Sequence, residues 1–405
     1  MKFDIVIVGG GIVGAALAAF LRDSGLTLAL VEGQPWPPPA PQPSPESEQE
    51  GEWGISASVG RDDWDSRIYA LTPGNVALLT GCGAWQLVEA GRVQQVEEMR
   101  VFGDTGAILQ FSAYQLGKPE LAFIVESRAL QQALWAVLRT QKNVTLIQPA
   151  RCAELAATEA GAHLVLQDGR QLEADLIVGA DGRDSWVRQQ AGMPEVPTPY
   201  HQHGVVANFT CNRNHRGIAY QWFTPEGILA LLPLPGRRVS MVWSVSPQQS
   251  AELLALPAAQ LATRVAAAAQ HILGELTVIT PAASFPLRVL NLAHLTLPRL
   301  ALIGDAAHNI HPLSGHGVNL GLHDAHDLAQ VLLQRGALNC GDLRLLRRYE
   351  RARQPDILSM QLTTDALKHL FVNSNPLLRT LRNIGLTATN ALVPLKKMLA
   401  RHALN

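Results

Sequence analysis

Two glycine-rich stretches carry the residues best suited to chemistry. In the first, Gly9-Gly10-Gly11-Ile12-Val13-Gly14, residues Gly9, Gly11 and Gly14 fit the spacing GxGxxG. There the first glycine permits a tight turn, the second lets a phosphate approach the backbone, and the third lets helix and strand pack closely. The second stretch, LIGDAAHNIHPLSGHGVNLG, runs from Leu302 to Gly321. Asp305 ends its apolar lead-in, where a carboxylate can bind a polyol hydroxyl. The amides of Gly317 to Leu320 would open a helix, a ready site for negative charge. A tight turn or a histidine cluster are the plainer readings of the second stretch. The stronger one is that both loops grip opposite ends of one long cofactor.

The elements around the first loop fit that reading. Phe3 to Val8 is an apolar run like a strand buried on both faces, and a helix of small residues follows the glycines. A second strand, LTLALVE, ends on Glu32, where an acid can accept hydrogen bonds from both ribose hydroxyls of an adenosine. An acid here disfavours a 2′-phosphate, so the resident nucleotide is FAD or NAD rather than NADP. Near the second loop, His308, His311, His316, His323 and His326 form no third-ligand pattern, and Pro312 separates them. They read as solvent-facing or loop-packing residues, with no metal site.

Bulk composition sets limits. A chain of 405 residues with 47% hydrophobic residues can bury two intertwined domains, and a net charge of −1 leaves no footprint for nucleic acid. Cys82, Cys152, Cys211 and Cys340 are scattered, which points to a reducing compartment and away from zinc or disulfides. The apolar start is strand-length and glycine-laden, unlike a signal peptide, and no window is long enough to span a membrane.

Between the loops the texture changes several times. Seven prolines between Pro35 and Pro45 lead into an acidic tract, read as a mobile insert over 33–64, with Trp36, Trp53 and Trp64 as candidates to pin it. Arg67 follows, and taken alone it reads as a partner for Asp65. Arg128 stands at a helix start, unfavourable to the helix dipole unless an anion is near. The strand ADLIVGADG brings Asp181 to a strand-to-helix junction, the crevice position of open α/β sheets. From Tyr200 to about Leu290, short β segments and a helical stretch suit an antiparallel sheet that walls off a substrate. The final 40 residues, from Ala366, are basic and amphipathic: either a packed C-terminal helix or a segment lying on an anionic membrane.

GGGIVG with Glu32, GADGRDSWVR and GDAAHNIHPLSGHGVNLG, in that order, resemble the flavin aromatic hydroxylases of the p-hydroxybenzoate hydroxylase type. DSRIYAL, LRRYERARQPD and LFVNSNPLLRTLRNIGL are similar to the ubiquinone-biosynthesis hydroxylases of the UbiH/UbiF type. The resemblance implies an α/β fold: a Rossmann-like FAD-binding domain over 1–72, 96–190 and 284–335, an interleaved antiparallel substrate domain over 73–95 and 191–283, and a helical region over 336–405. It implies that Gly9, Gly11 and Gly14 hold the pyrophosphate, Glu32 the adenosine ribose, Arg128 the phosphate and ribityl region, and Gly304 and Asp305 the ribityl chain. It further links Asp181 to FAD and the pyridine nucleotide, and sets the backbone of Gly317, Val318 and Asn319 at the flavin's N1–O2 edge. Arg67, Pro312 and His316 fall beside the reactive ring, and His316 stands where the family usually has glutamine.

The implied activity is an FAD- and NAD(P)H-dependent monooxygenase that uses molecular oxygen, activated at the flavin's C4a position, to hydroxylate a polyprenyl phenol in ubiquinone biosynthesis. It would work in the cytoplasm, peripheral on the inner membrane through its tail or in a complex with other ubiquinone-biosynthesis proteins. The alternatives are a hydroxylase of small soluble aromatics and an FAD-bound, non-catalytic member of a quinone-synthesis complex.

Overall fold

The computed structural model describes residues 1–36, 64–103, 106–158, 161–193, 198–224, 226–290, 292–309 and 317–372, with the backbone alone for 198–200 and 363–372. Pro312, His316, most of the proline-rich insert and the basic tail beyond 372 therefore lie outside the described residues.

The first strand, Lys2–Val8, sits inside a parallel sheet, which explains its unbroken apolar run. Gln171–Gly179 and Leu28–Val31 flank it, and Leu300–Leu302 and Val144–Ile147 pair outside these. The strands just before both glycine loops thus stand in one sheet, with Gln171–Gly179 and Lys2–Val8 its central pair. Helix Ile12–Phe20 packs small residues, Ala15, Ala16, Ala18 and Ala19, into the core. It ends at Phe20.

A second sheet is the expected antiparallel wall, with Thr198–Cys211, Arg238–Val245, Gly227–Leu234 and Ile218–Thr224 in that order. One face, bearing Trp222, Trp243 and Met241, is sealed by helices Pro247–Ala255 and Ala258–Ala268. The single helical stretch expected there is two helices, since Pro257 separates them and caps the second.

Three segments lie on a different layer from the one their position suggested. Hairpin 98–112, expected with the FAD-binding part, pairs Glu98–Phe102 in parallel with Ile218–Thr224. Strand Ala283–Val289, which straddles the expected boundary, pairs with Thr198–Cys211. Conversely, Pro73–Gly81, expected in the substrate domain, buries Val76 and Leu79 in the core of the parallel sheet. Alternation of apolar residues marks a strand but does not name its partner.

Helix Gly317–Leu333 begins where the sequence indicates, and Leu343–Val372 follows as a 30-residue helix with Pro355 inside it. No described helix is long and apolar enough to cross a membrane.

Candidate cofactor and substrate site

At the first loop the backbone is packed too closely for side chains. Gly9 has φ +106°, and a Cβ there would lie 2.4 Å from the Ala180 carbonyl oxygen; one on Gly14 would lie 2.1 Å from the Gly9 oxygen. Gly11 is different: a Cβ there meets nothing within 4 Å, so this face of the loop is open. The Gly10 carbonyl accepts from Trp135 Nε1 (2.8 Å), and the Gly10 amide donates to Glu32 Oε2 (2.7 Å). Glu32 thus fixes the loop with one oxygen, while the other accepts from the Gln34 amide (2.8 Å).

The second loop is built against the first. A Cβ on Gly304, where φ is +61°, would come within 3.2 Å of the Val13 methyls. The Gly304 amide donates to Asp324 Oδ2 (2.9 Å), and the same oxygen lies 2.6 Å from His308 Nε2. Arg353 Nε donates to the other Asp324 oxygen (2.8 Å), and its remaining nitrogens reach Asp327, Asp356 and the Leu320 carbonyl. Burial pushes the Asp324 carboxyl upward, but His308 and Arg353 outweigh it and hold the group below the usual carboxylate range. His308 is thus a buried loop-packing residue and not a solvent-facing one, as the sequence had left open. Asp324 and Arg353 escaped the sequence reading because only the fold brings them together.

Asn319 also has a positioning task. Its Oδ1 accepts from the Thr72 amide (3.0 Å) and Asn75 Nδ2 (3.1 Å), and its Nδ2 donates to the Ala70 carbonyl (2.7 Å). The side chain staples the start of the 317–333 helix to the Ile68–Leu71 strand, leaving the helix-start backbone to face the cavity.

Asp65 is not spent on the Arg67 guanidinium. Its carboxylate accepts the backbone amides of Arg67 (2.9 Å) and Arg128 (3.0 Å). The anion at the start of the Arg128 helix is therefore Asp65, 63 positions earlier in the chain. Among the described residues the Arg67 guanidinium has no ion-pair partner, and Arg67 lines the cavity. Asp181 is engaged locally: Ser185 Oγ donates to it (2.5 Å), as does the Val187 amide (3.0 Å), so it braces the start of the short Trp186–Gln190 helix, whose N-cap is Ser185. Its neighbours Ala180, Gly182 and Arg183, and not Asp181, line the cavity.

Both flanks of the insert are tethered. Trp36 stacks on Trp135 (5.9 Å, 28°), and Trp64 is buried beneath the guanidinium groups of Arg92 (4.6 Å) and Arg238 (5.4 Å).

One cavity of about 850 Å³ joins these parts. Gly11, Ile12 and Val13 of the first loop and Asp305, Gly317 and Val318 of the second share its wall. It continues into a chamber under the antiparallel sheet, lined by residues such as Met99, Phe111, Leu121, Leu232 and Phe285. The two distant glycine turns therefore do converge. The open face at Gly11, the exposed Asp305 carboxylate and the available Arg67 guanidinium suit a long, anionic, polyol-bearing dinucleotide.

The strand ends of the parallel sheet thus open onto a cavity that continues into a walled apolar chamber, the crevice position where open α/β sheets bind their ligands. The family model for an FAD binding domain matches residues 70–362, well over half of the chain, and the chain belongs to that family, the FAD-dependent monooxygenases. It is similar to ubiquinone hydroxylase UbiL of Rhodospirillum rubrum, 34% identical over 99% of this chain and 89% of the relative. It is equally similar to the 3-demethoxyubiquinol 3-hydroxylase of Escherichia coli, 34% identical over 99% of this chain and 98% of the relative. Among solved structures it matches the fold of p-nitrophenol 4-monooxygenase PnpA from Pseudomonas putida, with a TM-score of 0.78 at 18% identity over 100% of this chain and 98% of that one.

Proposed function

We propose that this FAD-dependent monooxygenase hydroxylates the aromatic ring of a polyprenyl phenol on the way to ubiquinone, with NAD(P)H as transient reductant. The observation that carries the reading is the single cavity running from both glycine loops into an apolar chamber. An apolar chamber accepts a prenylated ring that a polar one would reject. The names of the two relatives, both ubiquinone hydroxylases, support the substrate class.

In this reading the amide-lined turn at Gly9, Gly11 and Gly14 holds the pyrophosphate, and Glu32 binds the adenosine ribose with oxygen capacity left over from its backbone contacts. Asp305, beside Gly304, takes the ribityl hydroxyls, and Arg128 stands near the phosphates. The helix-start backbone at Gly317, Val318 and Asn319 donates toward negative charge on the ring edge. Arg67 flanks the ring, and Asp181 shapes the approach of the pyridine nucleotide through the Gly182–Arg183 turn it braces. Bound FAD supplies the oxygen activation and hydroxyl transfer; the chain positions the two partners and keeps water from the chamber. The basic segment from Ala366 would lie on an anionic membrane surface and bring the site to a lipid-borne substrate.

The test is to mix the purified yellow protein with NADH or NADPH, with and without a polyprenyl phenol. Substrate-stimulated bleaching followed by a hydroxylated product supports the proposal. Turnover of small phenols alone would favour a soluble-substrate hydroxylase, and no bleaching under any condition would favour a non-catalytic role in a quinone-synthesis complex. Sedimentation with anionic vesicles, lost on truncation before Ala366, tests the tail.

A further inference from the structure

The sheet face that roofs the chamber is built almost entirely from small or apolar residues. Gln221 stands in register with Ala230, and Ala230 with Val242; one row along, Phe223 stands with Ile228, and Ile228 with Ser244. Residues two apart share a face, so Gln221 and Ser244 both look into the chamber, and both line it. They are 7% and 2% exposed, and among the described residues neither side chain has a hydrogen-bond partner.

With no partner in the fold and the cavity in front of them, these two polar groups are open to the chamber, where a ligand can supply the hydrogen bond that the protein does not. Asn208, on the same face, gives its Nδ2 to the Asp65 carbonyl (2.8 Å); its Oδ1 has no partner among the described residues, but Asn208 does not line the cavity. Ser240 Oγ also lacks a partner, but Ser240 does not line the cavity. Gln221 and Ser244 are therefore the two spare polar groups of the roof that open onto the chamber.

Two strands and two residues separate them, a diagonal of about 12 Å across the sheet. That span suits a single ring with oxygen substituents on opposite sides and a hydrogen bond at each. Both side chains are neutral and can donate as well as accept, so they match hydroxyl, methoxy or carbonyl oxygens.

We propose that Gln221 and Ser244 are specificity-determining residues that hydrogen-bond the ring oxygens of the substrate, so that the enzyme selects an aromatic ring already bearing more than one neutral oxygen. This rests on the hydroxylase reading above. It also sets an order: an earlier oxygenation or methoxylation must supply the preferred substrate.

The test uses the FAD-loaded full chain and two probes, a geranylated phenol and the same molecule with a methoxy group across the ring from the hydroxyl. The wild type should prefer the methoxylated ring by about tenfold in kcat/KM, the scale of one neutral hydrogen bond. In Gln221→Leu and Ser244→Ala the preference should shrink to about twofold in at least one variant, through KM for the methoxylated probe, with flavin absorbance unchanged. Gln221→Asn should recover part of it. If either variant loses its flavin, Gln221→Met and Ser244→Cys, closer in volume, replace them. A preference unchanged in both variants, or absent from the wild type, overturns the inference while leaving the hydroxylase reading intact. A wild type that turns over neither probe overturns both.

Discussion

Val13 fills the space that a side chain on Gly321 would need: a Cβ there would lie 2.7 Å from Val13 Cγ2 and 3.2 Å from the Gly304 Cα. The helices that follow the two glycine loops meet through this missing side chain, and the distance between the loops is set by it.

Gly321→Ala should therefore push the loops apart. Overpacking of this kind costs about 1–3 kcal/mol, and FAD affinity, followed by flavin fluorescence on titration, should fall at least about tenfold. Gly9→Ala should be worse, since its Cβ would meet backbone 2.4 Å away and its φ of +106° strains any side chain. Full flavin content and unchanged melting in both variants would show that the loops are not so coupled.

Arg353→Met leaves the buried Asp324 carboxylate without its guanidinium partner. Breaking such a pair from one side costs about 3–5 kcal/mol, read as a lower urea midpoint. The double variant Asp324→Asn, Arg353→Met should lose less than Arg353→Met alone, because no unpaired charge stays buried. A double variant less stable than the single one would contradict this.

Acid stability has a defined sign. The Asp324 carboxyl is held below its usual value of 3.8, so the stability it contributes is fully present above that pH and is lost as pH falls through the lower folded value. Asp327, lowered by hydrogen bonds from His326 and Arg353 against its own burial, acts in the same direction. Unfolding free energy measured between pH 6 and about pH 3 should drop most steeply at the acid end, and Asp324→Asn should flatten that drop.

The four cysteines should be chemically quiet. All are free, and burial pushes the Cys152 thiol to about 12 and that of Cys340 to about 11, with Cys82 and Cys211 raised as well. A thiol-exchange reagent at neutral pH should label the native protein slowly and all four sites after denaturation. Rapid native labelling of Cys152 would show that its surroundings open.

What the sequence made legible was local. Gly9, Gly11, Gly14, Glu32 and Asp305 could be placed because strand, turn and helix follow one another along the chain, and their spacing carries the geometry. Asp65 as the cap of a helix beginning at Ser127, Arg353 as the partner of Asp324, and the crossing of hairpin 98–112 to the other sheet all depend on which elements meet in space. No spacing rule encodes those meetings. Gln221 and Ser244 belong to the same group: each is ordinary in its strand, and only the shared face makes them a pair.

The tryptophans that bracket the proline-rich stretch have a spectroscopic consequence. Trp36 is fastened to Trp135 on one side and Trp64 is wedged under two arginines on the other, each by contacts that do not involve residues between them. Each tryptophan is therefore an intrinsic optical reporter of its own anchor: replacing Trp135 should alter the emission of Trp36, and replacing Arg92 or Arg238 that of Trp64.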